Sequence, residues 1–93
     1  MRRIEQTKAF RRDYKRESKS QNRTALERDF TSIVRALTLD QRLAARHRDH
    51  PLTGDWRDHR DCHVKPDLIL IYRISDAERL QLVRLGSHSE LGL

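Results

Sequence analysis

Three of the five histidines of this chain, His50, His59 and His63, lie between Asp49 and Asp67, a stretch that also holds the only tryptophan, the only cysteine and both prolines. An unperturbed histidine titrates near pH 6.5, so a cluster of histidines can exchange protons or bind metal at neutral pH. The stretch could therefore be a metal site, a catalytic site or an ordinary solvated hairpin.

A metal site is the weakest of these three readings. The spacings His47-x2-His50 and His59-x3-His63 occur in metal sites, but structural zinc sites usually include cysteine pairs, and this chain has a single cysteine. Residues i and i+4 of a strand are about 13 Å apart, so His59 and His63 could not share one ion on the strand that their local pattern predicts. We therefore expect no bound metal and no other cofactor.

A catalytic site needs groups that divide the proton transfers between them. Two or more histidines with a carboxylate can act as general base and general acid. In a basic protein such a set suggests cleavage of an RNA phosphodiester, in which one group removes the proton of the 2′-hydroxyl and another protonates the departing 5′-oxygen. A cation would stabilise the extra charge on the phosphate. From the residues alone, a binding module without chemistry stays open and is the more common case.

The charge distribution also indicates a polyanionic partner. The chain carries a net charge of +6 and has a pI near 10.2. Residues 1–50 hold 14 basic and 7 acidic side chains, whereas residues 51–93 hold 6 and 7. A basic field of this size favours nucleic acid, the ribosome or an acidic protein segment.

Length and cysteine content bound the class of protein. A chain of 93 residues predicts one domain, 1–93. One cysteine cannot form an internal disulfide, which fits a reducing compartment. The longest apolar run, Leu68–Tyr72, is too short to span a bilayer, and no apolar segment follows the N-terminal arginines as in a signal peptide. We expect a cytosolic protein without membrane association.

A short strand and two helices are predicted in the N-terminal half. Arg2–Thr7 reads as an edge strand, and the following helix carries Phe10 and Tyr14 on one face. After a polar break at Ser18–Gln21, the sequence Thr24–Glu27 fits a capping box that would open the second helix. The apolar stripe of that helix has helical spacing and comprises Leu26, Phe30, Ile33, Val34 and Leu37.

The second half shows the alternation typical of strands. Strands are predicted over 56–64, 67–74 and 79–85, with turns at 65–66 and 75–78, after a loop or weak helix over 39–50. The strand over 67–74 is apolar on both faces and should be central. The fold class is therefore α+β, with a short N-terminal strand and a two-helix hairpin packed on an antiparallel β-sheet.

Strand alternation separates core residues from candidate site residues. Cys62 and Val64 should face the core, which places His59, Asp61 and His63 on the opposite face. Such a face could be the floor of a site or simply the solvated side of the sheet.

Three linked motifs carry a family resemblance. The motifs are Asp49-His-Pro-Leu-Thr-Gly-Asp-Trp56, Arg60-Asp-Cys-His-Val-Lys-Pro-Asp-Leu-Ile-Leu-Ile-Tyr-Arg73 and Arg84-Leu-Gly-Ser-His88. In order and spacing they resemble the YafQ branch of the RelE/ParE toxin superfamily, and Phe10-Arg-Arg-Asp-Tyr14 resembles the first helix of that family. The resemblance implies a RelE-like, microbial-RNase-like α+β domain.

The resemblance also implies a function and a set of partners. YafQ-like toxins are ribosome-dependent endoribonucleases that cut messenger RNA within codons, without a cofactor, and so inhibit translation. They belong to type II toxin–antitoxin systems, in which a small antitoxin inhibits the toxin. We therefore expect an antitoxin with a ribbon-helix-helix-type DNA-binding end, the ribosome and mRNA as partners, and operator DNA reached through the antitoxin complex.

The catalytic positions of that family fall on His50, His63, Asp67 and His88. By analogy His88 is the candidate general acid, His50 and His63 are candidates for the base or for phosphate stabilisation, and Asp67 would orient a histidine or transfer a proton. The candidates for RNA binding are the basic residues Arg60, Arg73, Lys15 and Arg16.

Two features depart from the family pattern. Gly92 stands where relatives usually carry an aromatic residue, and His47 and His59 occupy positions that are commonly tyrosine. Trp56 is interpreted as a structural residue beside the turn at Gly54. The alternatives to a nuclease are a ParE-like gyrase-inhibiting toxin, which lacks this histidine set, and a ribosome-binding or nucleic-acid-binding module without catalysis.

Overall fold

Thr7 joins the edge strand to the first helix. The computed structural model describes residues 1–93 and begins with strand β1, Arg3–Gln6, followed by helix α1, Lys8–Glu17. The Thr7 hydroxyl accepts the backbone N–H of Phe10 at 2.9 Å and donates to the carbonyl of Val83 at 2.8 Å. One side chain therefore caps α1 and fixes it to the sheet.

The second helical segment begins before the predicted capping box. It runs without a break through α2, Arg23–Ala25, a π-helical turn, Leu26–Phe30, and α3, Thr31–Thr38. The prediction that Thr24 caps this helix was wrong, because Thr24 already lies inside it and Glu27 instead pairs with Arg23 at 2.9 Å. The helix starts two residues earlier, with Asn22 at the N-cap position.

The predicted apolar stripe is confirmed along this segment. Phe30 is partly buried against the core, and the other four residues are buried: Leu26, Ile33, Val34 and Leu37. Phe10 is also buried, and its ring centroid lies 6.0 Å from that of Phe30.

Five strands form one sheet in the order β1-β5-β4-β3-β2. The remaining strands are β2, His50–Pro51, β3, Arg60–Lys65, β4, Leu68–Asp76, and β5, Arg79–Gly86. The predicted central position of β4 is confirmed. The pairing of β1 with β5 is parallel, unlike the expected antiparallel sheet, because the chain returns to β1 only with its last strand.

The strand predicted over 56–64 is shorter than expected. A 3₁₀ turn, Gly54–Trp56, and left-handed backbone at Gly54 and Asp58 occupy the residues before β3. His59 therefore precedes the strand, where its carbonyl accepts the N–H of Leu52 at 3.0 Å. This finding removes His59 from the face that alternation assigned to it.

Both faces of the sheet are covered, although unequally. The main core contains 14 buried residues and lies between the sheet and the helices α1 to α3. On the opposite face Ile69 and Ile71 pack with Leu91, Leu52 and Trp56. Leu91 belongs to α4, His88–Leu91, a short helix that was not predicted. None of the helices is long and apolar enough to cross a membrane.

Candidate active site

Five polar side chains from four elements meet on the sheet face opposite α1 and α3. They are His50 on β2, Asp61 and His63 on β3, Asp67 in the turn between β3 and β4, and His88 at the start of α4. Asp61 and His63 lie opposite Ile71 and Ile69 of β4, and directly opposite residues share a face. All four predicted catalytic residues are therefore brought to one region.

The hairpin between β3 and β4 places His63 and Asp67. The register of the two strands shifts between His63 and Lys65, and such an irregularity redirects the side chains beside it. The turn at Pro66–Asp67 then aims the Asp67 carboxylate at α4.

His88 and Asp67 form the most tightly bonded pair of the site. His88 Nδ1 lies 2.6 Å from Asp67 Oδ1, and the backbone N–H of His88 donates to the same oxygen at 3.0 Å. These hydrogen bonds lower the pKa of Asp67, with the backbone one contributing most. With its Nδ1–H directed to a carboxylate, the ring presents Nε2 to the open side.

His63 lies between the other two histidines of the site. Its ring centroid is 5.4 Å from that of His88, edge to face, and 6.4 Å from that of His50. The side chain is 9% exposed, and this burial lowers the pKa of His63 below its ordinary value. Neutral imidazole is therefore the dominant form of His63 at pH 7, and this form can accept a proton.

Asp61 is also a residue of the site. Strand alternation placed it on the correct face, but it was not among the predicted catalytic residues. It is 3% exposed, and its Oδ1 lies 3.1 Å from His50 Nδ1. The Nδ1–H of His50 is directed instead at the carbonyl of Arg48, 2.7 Å away, which leaves Asp61 Oδ1 without a hydrogen bond. Burial raises the pKa of Asp61, while the neighbouring histidines, His50 above all, oppose that shift.

His47 supports the outer edge of β3. Strand β2 pairs only with Arg60 and Asp61, so the carbonyl of His63 has no strand partner on that side. The buried ring of His47, 5% exposed, fills this gap with its Nδ1 atom 2.7 Å from the His63 oxygen. The sequence does not reveal this role of His47, because its hydrogen-bond partner is a backbone carbonyl 16 residues away.

Two arginines line the cleft beside the histidines. The cleft has a volume of about 350 Å³ and a wholly non-hydrophobic lining of Arg46, Arg48, His63, Pro66 and His88. Arg48 has left-handed backbone, φ 46°, directly after the 3₁₀ turn Ala45–His47. Neither arginine was predicted, because only the path of this loop brings them to the site.

The predicted RNA-binding residues do not line this cleft, and they differ in whether their charge is free to bind RNA. Arg16 is engaged with three carboxylates, and Arg60 pairs with Asp49 at 3.3 Å. Lys15 is exposed on α1 and makes no ion pair. Arg73 is exposed on β4, beyond Ile71 on the face that carries the site.

Within the histidine-rich stretch, Trp56 and His59 make structural contacts. Trp56 packs against the smaller core and meets the ring of His59 edge-on at 5.4 Å. The histidines, cysteine and acidic side chains nowhere form a group of three or more that could hold a metal ion.

The chain matches one protein-family model along nearly its whole length. The model, described as a bacterial toxin of a type II toxin–antitoxin system, YafQ, covers residues 2–92. The mRNA interferase toxin YafQ of Escherichia coli K12 is 49% identical over 49 residues, which are 53% of this chain and 52% of that protein. This alignment therefore spans about half the length of the curated relative.

Solved structures align over almost the complete chain. A copper-bound mutant toxin from Helicobacter pylori is 33% identical, covers 98% of this chain and 99% of its own, and superposes with a TM-score of 0.84. The E. coli DinJ–YafQ complex is 34% identical over 98% of both chains, with a TM-score of 0.80.

Proposed function

This chain belongs to the YafQ family of bacterial type II toxins, and from that premise we propose that it is an mRNA interferase, an endoribonuclease that cuts messenger RNA within codons on the ribosome. The observation that carries the proposal is the convergence of His50, His63 and His88 beside a cleft lined by arginines. A gyrase inhibitor or a simple binding module has no need for three histidines grouped around one of them, His63.

The proposed reaction is an intramolecular transesterification. The 2′-oxygen of the RNA attacks its own phosphate, the bond from phosphorus to the 5′-oxygen breaks, and the products are a 2′,3′-cyclic phosphate and a 5′-hydroxyl. One group must take the proton of the 2′-hydroxyl and another must give a proton to the leaving oxygen. The side chains of the site can supply both transfers without a cofactor.

His63 and His88 are assigned the two proton transfers. The lowered pKa of His63 keeps it neutral and suited to act as the base. His88, held at Nδ1 by Asp67, presents Nε2 to the cleft and is suited to protonate the 5′-oxygen. His50, beside the buried carboxylate of Asp61, is assigned to the phosphate or to the orientation of the 2′-hydroxyl.

Arg46 and Arg48 are assigned to the scissile phosphate. Both line the cleft with His63 and His88, and guanidinium groups match phosphate oxygens in a two-pronged geometry. Arg46 lies 3.9 Å from Asp29 and is mostly exposed, so it remains available to RNA. Cationic groups placed where charge develops lower the barrier of such a step.

The proposed partners follow from the same premise. E. coli YafQ forms a complex with DinJ, and we expect an antitoxin to bind and inhibit this chain in the same manner. The ribosome and mRNA are its targets, operator DNA is reached through the DNA-binding end of the antitoxin, and the site of action is the cytoplasm. The net charge of +6 favours association with ribosomal RNA.

Cleavage of a defined messenger in a purified translation system tests the proposal. The wild type and His88→Ala are compared with and without ribosomes, and the ends are mapped for a cyclic phosphate and a 5′-hydroxyl. Cuts that require ribosomes and are lost in the variant are expected. Absence of cuts by folded wild-type protein would overturn the nuclease and direct attention to gyrase or to binding alone.

A further inference from the structure

The helix that carries His88 is too short to be stable alone. It comprises His88–Leu91, a single turn, and isolated helices need about 12–15 residues to be even marginally stable in water. His88 therefore keeps its place only through contacts that α4 makes with the rest of the protein. The buried side chain of Leu91 supplies one of these contacts.

A capping box closes the turn of α4 from within. Ser87 Oγ accepts the backbone N–H of Glu90 at 3.2 Å, and Glu90 Oε1 accepts the backbone N–H of Ser87 at 3.0 Å. The reciprocal bonds fix the carboxylate of Glu90 beside the residue that precedes His88. The pKa of Glu90 is lowered, first by the hydrogen bond from the Ser87 backbone and then in part by the charge of Arg16.

Arg16 of α1 holds that same carboxylate from the other side. Its Nη2 lies 3.3 Å from Glu90 Oε2 and donates to the carbonyl of Leu85 at 3.1 Å. Its Nη1 and Nε atoms bind Asp13 at 3.1 Å and Glu17 at 2.8 Å. Four acceptors from two helices and a strand therefore fix one guanidinium, and α4 is joined to α1 through it.

Asp13 anchors the guanidinium to the sheet. It is fully buried, accepts the backbone N–H of Leu85 at 3.1 Å and pairs with Arg84 at 2.7 Å. Gly86, which follows Leu85, lies directly against the ion pair. A Cβ atom at Gly86 would lie 3.1 Å from both Arg16 Nη2 and Glu90 Oε1. The end of β5 is therefore shaped to let Arg16 reach Glu90.

We propose that Arg16 and Glu90 are positioning residues for His88: the ion pair between α1 and the capping carboxylate of α4 sets the place of the imidazole in the cleft. The inference rests on the proposed nuclease function. It extends that function to Arg16, a residue of α1, which packs on the opposite face of the sheet from the site. It replaces direct RNA contact as the role of Arg16. Neither side chain lines the cleft.

The variants Glu90→Gln and Arg16→Lys, singly and combined, test this. Glu90→Gln keeps the capping hydrogen bond but loses the ion pair, and Arg16→Lys keeps the charge but cannot reach four acceptors. The matched controls are Glu27→Gln and Arg23→Lys, which alter an exposed ion pair of the same type elsewhere. Rates are measured at saturating and at limiting substrate in the ribosome-dependent assay.

Each single variant should lower kcat about tenfold or more, since small misplacements of a reacting group are costly, while KM and its salt dependence stay at the wild-type values. The double variant should lose little more than either single one, because both break one interaction. The control variants should retain wild-type kcat. A raised KM and a flatter salt dependence for Arg16→Lys, with normal Glu90→Gln, would instead place Arg16 on RNA and overturn the inference.

NMR separates this inference from the proposed function. The ring resonances of His88 should shift or broaden in Glu90→Gln, while the resonances of His50 stay unchanged. Unchanged His88 resonances in Glu90→Gln would reject the positioning role even if the wild type cuts RNA. Absence of cutting by the wild type would reject the nuclease and leave the resonance shifts to decide the positioning role.

Discussion

Asp67 binds His88 twice through one oxygen: Oδ1 accepts the backbone N–H at 3.0 Å and lies 2.6 Å from the ring Nδ1. The double contact fixes the rotation of the imidazole and holds the first residue of α4, while Arg16 and Glu90 hold the same turn from its other end. Because the carboxylate engages Nδ1, Nε2 is the only ring nitrogen left for substrate. The same logic orients the histidine in hydrolytic triads, where a carboxylate selects the tautomer.

Asp67→Asn should lower the rate of cleavage by about 10- to 100-fold, as is typical when a group that orients a ligating imidazole is lost. The amide oxygen of the variant could still accept both N–H groups, but it carries no negative charge, so both hydrogen bonds lose their charge assistance and hold the ring less firmly. Single-turnover cleavage on ribosomes measures the effect. Asp55→Asn, an exposed carboxylate without an ion pair, is the control and should cut at the wild-type rate.

The pH dependence of His63 follows from its burial. Its folded-state pKa lies below the ordinary value of about 6.5, so the unfolded chain binds a proton that the folded protein resists. Stability should therefore fall as the pH drops through 6.5 toward the folded-state pKa, and activity that needs neutral His63 should persist below pH 6.5. Denaturation midpoints and pH–rate profiles measure the two effects. His63→Gln should abolish this part of the stability loss, and an unchanged slope would contradict the assignment.

Asp61→Asn should stabilise the protein and impair its activity. The raised pKa of Asp61 means that its ionised form is disfavoured in the folded state, and one of its oxygens has no hydrogen bond. A neutral isostere should raise the unfolding free energy at pH 7 by about 1 kcal/mol, or roughly 4–8 °C in Tm for a domain of this size. This gain should shrink as the pH falls through the folded pKa and vanish below about 3.9, where both forms are neutral. A lower Tm at pH 7 would show that the contact with His50 outweighs the burial.

Much of the sheet could be predicted because its signals are local. The apolar residues on both faces of β4 indicate burial on both sides, and Cys62 and Val64 determine which way His63 points. These inferences need only the two-residue period of a strand. His59 was wrongly assigned to the face that carries the site, because left-handed backbone at Gly54 and Asp58 lengthens the turn before β3.

The pattern Ser/Thr-x-x-Glu occurs three times, beginning at Thr24, Ser75 and Ser87, and forms a capping box only at Ser87. Ser75–Glu78 lies in the hairpin between β4 and β5, so the two helical cases are the informative ones. Thr24–Glu27 does not form one, because the amide of Asn22 binds Glu17 at 2.6 Å and the helix is already under way at Arg23. Ser87–Glu90 does form one, because Leu91 and Arg16 hold the turn from outside. Sequence pattern alone could not separate the two, since tertiary contacts decide which box closes.

Arg48→Gln should raise KM for ribosome-bound messenger and reduce its salt dependence. Loss of one phosphate contact lowers the slope of log affinity against log salt by about 0.7–0.9. The same change at Arg46 should act similarly, since both line the cleft. Arg79→Gln is the matched control, because Arg79 pairs with Asp76 at the end of β5 that is far from α4 and the site. Equal salt slopes for Arg48→Gln and Arg79→Gln would exclude a phosphate contact by Arg48.

Tyr72→Phe should lower the unfolding free energy by about 1.5–3 kcal/mol, the usual range for a hydrogen bond to a charged group. The Tyr72 hydroxyl donates to the carboxylate of Asp49, which also binds Arg60, and Asp49 directly precedes His50. Burial raises the pKa of Tyr72, so this hydroxyl keeps its proton across the neutral range. Urea unfolding measures the loss, and Tyr14→Phe is the control because the Tyr14 hydroxyl makes no hydrogen bond. Since the Asp49 contact ties β2 to the sheet beside the site, Tyr72→Phe should also slow cleavage, and equal stabilities of the two variants would show that β2 is held by its backbone pairing alone.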